Sequence, residues 1–152
     1  MPEFVTAILR KHVQMPRNPT KPILPVQTAD ELPGRVRANL LKAMQQGETF
    51  RAAVATEFRP NPDMPYAWLV LTSRRFILCN SHRTRGIYAA HRFADINESR
   101  LEIRAGLSGA LWLTVLLADP NSRPLIIPFN QAVDLNALKL FCEKIAVKGS
   151  EA

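Results

Sequence analysis

Between residues 73 and 92 the chain carries Arg74, Arg75, Arg83, Arg85 and Arg92 together with His82 and His91, and no carboxylate. Guanidinium groups present planar donor forks that suit carboxylate and phosphate oxygens, so this stretch could hold an anion. The net charge of +7 over 152 residues points the same way, toward nucleic acid, lipid headgroups or an acidic protein face. Arg74, Arg75, His82, Arg83, Arg85 and Arg92 are therefore the candidate anion- or partner-binding residues.

Residues for bond-making chemistry are scarce. The histidines are His12, His82 and His91, and none has an HExxH or comparable metal spacing. Cys79 and Cys142 form no ligand pair with them, and each sits in an apolar run, where a free cysteine acts as a small core hydrophobe. Asp95 and Glu98 are close in sequence, but turns commonly use such residues for capping. Gly106-Leu-Ser-Gly109 lacks the serine-centred strand–turn–helix pattern of a nucleophile elbow, and there is no glycine-rich phosphate loop. The expectation is a chain that is not an enzyme, with no cofactor, no metal and no small-molecule substrate.

The basic residues must be positioned by the elements around them. Two apolar runs, 68–71 and 76–79, flank the polar break Thr72-Ser-Arg-Arg75, a spacing that leaves room only for a hairpin. A first strand is expected over 48–58, with Phe50, Ala52, Val54 and Thr56 on one face. The loop 59–65 holds three prolines and cannot be strand. Further strands are expected at 87–93, around 100–104, at 111–118 and at 125–129, the last at an edge or ending at Pro128. The turns between them fall at 94–97, at Gly106 to Gly109 and at 119–122.

Two helices frame the strands. Residues 33–46 carry the apolar stripe Val36, Leu40, Leu41 and Met44, with Gly47 as a stop; the stripe either covers an opening or edge of the β-structure or forms a partner surface. Residues 131–147 carry Leu135, Leu138, Phe141, Cys142 and Ile145 on one face, with Asn130 or Asp134 as the cap. The domain plan is a proline-rich N-terminal arm over 1–29, an extra helix over 30–47, a main domain over 48–147 and a loose tail over 148–152. Within the arm, Phe4, Val5, Ile8 and Leu9 have the spacing of one short helical face that could dock on the domain or on a neighbour.

Seven short strands followed by one amphipathic helix resemble the layout of the bacterial pleckstrin-homology (PH)-like families. Trp68-Leu-Val-Leu-Thr72-Ser-Arg-Arg75-Phe-Ile-Leu is similar to their second-to-third strand hairpin, and His91-Arg-Phe-Ala-Asp-Ile96 to the segment after it. The resemblance implies a mainly β (α+β) fold, a seven-stranded antiparallel barrel of two orthogonal sheets closed by the C-terminal helix. Leu138, Phe141, Cys142 and Ile145 are then expected to plug against Trp68, Val70, Phe76, Leu113 and Val115.

It also implies a binding module, with a protein partner or a homo-oligomer as the main reading and a weakly held anionic membrane surface as the alternative. In lipid-binding PH domains the first inter-strand loop is basic; here residues 59–65 contain one arginine and Asp63, which counts against lipid. Nucleic-acid binding rests on charge alone, since Tyr88 is the only nearby aromatic for stacking. No apolar run nears the ~20 residues of a membrane span. With no signal-peptide pattern at the N-terminus, the expected location is the cytoplasm, or peripherally the inner membrane face.

Overall fold

A computed structural model describes residues 22–103 and 111–145. Seven strands appear in the expected order: β1 (Phe50–Ala55), β2 (Trp68–Thr72), β3 (Arg75–Cys79), β4 (Ile87–Arg92), β5 (Ile96–Ile103), β6 (Leu111–Leu117) and β7 (Leu125–Pro128). They form two antiparallel sheets, β1-β2-β3-β4 and β5-β6-β7. Helix α1 (Gly34–Ala43) precedes them and α2 (Leu135–Cys142) follows.

The expected closed barrel is replaced by two open sheets. A 3-10 turn, Phe93–Asp95, separates β4 from β5. At the other side one backbone bond among the described residues, Glu57 N–H to the Pro128 carbonyl at 2.8 Å, links the two sheets. Pro128 has no N–H to extend a ladder, and β7 ends there as an edge strand. Strand β5 begins at Ile96, inside the stretch expected to be a turn; Arg104, the 106–109 turn, residues 1–21 and the tail lie outside the described residues.

The central hairpin is apolar on both faces because both faces are covered. On the inner side Leu69, Leu71, Phe76 and Leu78 pack with Ala52, Val54, Leu113, Val115, Ile127, Leu138 and Phe141. The outer face, with Ala53, Val70, Ile77 and Cys79, packs against Leu32, Val36 and Leu40. The plug is therefore formed by Leu138, Phe141 and Ile145, with Cys142 partly buried beside them, over Phe76, Leu113 and Val115 as expected. Trp68 and Val70, expected there, belong to the outer cluster instead. When alternate residues are all apolar, parity along the strand does not tell which set faces which layer. A bulge between Phe50 and Ala52 likewise turns Phe50 away from Ala52 and onto the outer cluster.

Helix α1 covers a sheet face rather than an opening or an edge. Val36 and Leu40 are 2% and 0% exposed, Met44 is half-buried against the same cluster, and Leu41 faces outward. Of the four stripe residues only Leu41 is thus left for a partner in this arrangement. The capping box that precedes α1 belongs to a 3-10 turn, Ala29–Glu31, where Thr28 is the cap and Glu31 reaches back to its N–H. At α2 the cap is Asp134, which accepts from Ala137 N–H at 2.9 Å.

The last residues of the expected arm are tied down. Val26 exchanges backbone bonds with Ala53 at 2.7 and 3.0 Å, and Ile23 bonds the backbone of Ala132 and Asp134 at 2.9 Å each. Residues 22–26 thus strap the outer edge of β1 to the segment before α2.

Candidate functional site

Strand β3 is five residues long, so its two ends stand roughly 15 Å apart at ~3.3 Å per residue. That distance splits the basic stretch. Arg74 and Arg75 sit at the β2–β3 turn, with Arg92 beside them through the Arg75–Arg92 pair of β3 and β4. His82, Arg83 and Arg85 lie in the β3–β4 loop at the other end.

The first group is largely committed to the fold. The Arg75 guanidinium grips the Glu48 carboxylate with both nitrogens, Nε to Oε2 at 2.9 Å and Nη2 to Oε1 at 2.7 Å. Nη2 also donates to the Ala43 carbonyl at the end of α1. Thr72 Oγ1 donates to Glu48 Oε2 and accepts from the Arg74 and Arg75 amides, which sets the hairpin turn. The Glu48 side chain is fully buried, and its hydrogen bonds from Arg75 hold its carboxyl down at about 2 against burial. Arg92 forms an exposed pair with Asp95 at 3.2 Å. His91 packs on the Phe76 ring, and burial pushes its imidazole below its usual value, which favours the neutral form. Arg74 is exposed and in no ion pair among the described residues.

Arg83 and Arg85 of the second group, but not His82, line a cleft of about 590 Å³ between α1, the β1–β2 loop and the β3–β4 loop. Lys42 from α1 and Arg83 and Arg85 from the loop supply three cations. None of the three forms an ion pair among the described residues. Met64, Ile87 and Tyr88 add apolar surface, and Tyr88 is 46% exposed while its ring leans on Phe58 at 4.9 Å. Arg59 reaches over Tyr66 at 4.6 Å rather than into the cleft.

Local bonds hold the loop in place. Asn39, buried in the last turns of α1, donates from Nδ2 to the carbonyls of Asn80 at 2.7 Å and His82 at 3.0 Å. His82 Nδ1 accepts from the Thr84 and Arg85 amides at 3.1 and 3.0 Å, so His82 shapes the loop while the arginines project from it. Gly86 permits this docking: a Cβ there would lie 2.2 Å from Asn39 Nδ2. Sequence reasoning missed Asn39, Lys42 and Gly86. Asn39 had a signal, being a polar residue beside the apolar stripe of α1.

Among the described residues, no three His, Cys, Asp or Glu side chains gather to hold a metal. Burial pushes both thiols, Cys79 and Cys142, up to about 12. No helix among the described residues is long and apolar enough to cross a membrane.

Comparison with solved structures settles the fold. A pleckstrin homology domain from Shewanella amazonensis SB2B matches with a TM-score of 0.52 at 18% identity, over 74% of this chain and 96% of that one. A DUF1696 family protein with a pleckstrin-homology domain, from Shewanella loihica PV-4, matches at 0.55 and 13% identity, over 84% and 99%. The chain has the PH-like fold of these bacterial proteins. No protein-family model and no curated sequence matches it. In this PH-like domain, α1 packs on the outer face of the four-stranded sheet and forms one wall of the basic cleft.

Proposed function

We propose that this PH-like domain is a non-catalytic binding module whose partner is a protein that seats an acidic segment in the cleft of Lys42, Arg83 and Arg85. The observation that carries this reading is the contrast in pairing. Arg75 and Arg92 find carboxylates within the chain and Arg74 stands alone at the hairpin turn, whereas the three cleft cations, unpaired among the described residues, gather around one concavity. Unpaired cations around a concave surface with an apolar floor favour a chain segment that brings both carboxylates and an apolar side chain. A second copy is a poorer occupant, because two molecules of net charge +7 repel. A flat anionic membrane would meet the same arginines, and the test includes it.

The test follows amide NMR signals during titration with a glutamate-rich peptide carrying one phenylalanine, and separately with phosphatidylglycerol vesicles. The reading expects peptide-induced shifts at Lys42, Met64 and residues 83–88, weakened by salt and absent in Arg83→Glu/Arg85→Glu. Binding to vesicles alone replaces the protein partner with a membrane. Shifts elsewhere, or equal binding by the double variant, reject the cleft.

A further inference from the structure

A second groove, of about 620 Å³, runs between the strap and α2, lined mainly by Leu24, Pro25, Ala137, Leu140 and Phe141, with Gln27, Glu143 and Lys144 also reaching it. Its rim leaves Leu140 62% exposed and Leu24 53% exposed. Two leucines flanking one concave apolar surface are a docking surface in want of a cover.

We propose that residues 4–9 of the same chain dock there, with Phe4, Val5, Ile8 and Leu9 against Leu24 and Leu140. This goes beyond the function above and does not depend on it. The described chain begins at Pro22, two residues before Leu24, so the preceding 21 residues start at the rim of the groove. Ile23 and Val26 are pinned by backbone bonds, which fixes the tether at that point. The tether, residues 10–21, spans roughly 37 Å when extended at about 3.1 Å per residue, ample to turn back onto α2. Phe4, Val5, Ile8 and Leu9 share one face at helical spacing, and a segment tethered this closely acts at high effective concentration. A seated arm would cover the groove beside α2, so a peptide competing for it must first displace residues 4–9.

A spin label on the full-length Ala7→Cys variant tests this, position 7 lying off the apolar face. Cys142 is only partly buried and lies on α2 beside the groove, so the variant also carries Cys142→Ser, while the fully buried Cys79 is left in place. The expected result is selective broadening of the amides of Gln27, Ala137, Leu140 and Lys144. It should persist when labelled protein is diluted into a tenfold excess of unlabelled wild type, and disappear when Ile8→Asp is added. Broadening that vanishes on dilution would mean docking on a neighbouring copy and overturn the intramolecular proposal. An absence of broadening, or broadening unaffected by Ile8→Asp, overturns it as well.

Discussion

Replacing Glu48 by glutamine should destabilise the domain in a way that reports the buried pair with Arg75. The carboxyl sits at about 2 in the folded protein against an ordinary value of 4.5. That difference, at 1.36 kcal/mol per pH unit, corresponds to about 3 kcal/mol of stability at neutral pH. Breaking a buried pair by removing one partner costs about 3–5 kcal/mol, the same range. For a domain of this size about 3 kcal/mol lowers Tm by roughly 6–12 °C. Because the folded value lies below the unfolded one, the contribution is complete above pH 4.5 and is lost as the pH falls toward 2. Urea denaturation of wild type and Glu48→Gln at pH 7 and at pH 2–3 should therefore show a large gap that narrows in acid. A gap below about 0.5 kcal/mol at pH 7, or one that does not shrink in acid, refutes the assignment of Arg75 to the fold.

Other changes probe the remaining contacts. Phe141→Ala empties a fully buried position between the sheets and α2, and should cost about 3–5 kcal/mol; an unchanged Tm contradicts the plug. Gly86→Ala places a methyl carbon against Asn39 and removes its two bonds to the β3–β4 loop, so denaturation should register a loss of about 1–3 kcal/mol. Arg83→Glu/Arg85→Glu, at exposed loop positions, should leave Tm within about 1–2 °C of wild type; a larger drop means that these arginines serve the fold.

Much of the fold was legible in the sequence because its signals are local. The hairpin around Thr72-Ser-Arg-Arg75 combines two apolar runs with a turn that Thr72 caps, and α2 shows its buried face through the spacing of Leu138, Phe141 and Ile145. What stayed hidden depends on distant partners. Nothing near Arg75 in sequence announces Glu48, 27 residues earlier, so a fold-building arginine looked like a binding one. The outer packing of α1 was hidden for a related reason: Trp68 to Leu71 are apolar without alternation, so the sequence does not say that the sheet has two covered faces. The separation of the arginines into two clusters, Arg74–Arg75 and His82–Arg85, was legible, since a five-residue strand stands between Arg74 and Arg83; whether the two share one rim was not. The meeting of Lys42 with Arg83 and Arg85 was not, because it requires α1 to lie across the sheet.

Site-specific photocrosslinking in the native host reads out the proposed occupant of the cleft, a protein. A photoreactive residue at Thr84, exposed in the β3–β4 loop, should yield a discrete protein adduct that is lost in Arg83→Glu/Arg85→Glu. The same residue at Asn121, in the β6–β7 turn of the other sheet, should not yield it. Equal adducts from both positions, or an adduct at Thr84 that survives the charge reversal, would contradict the account.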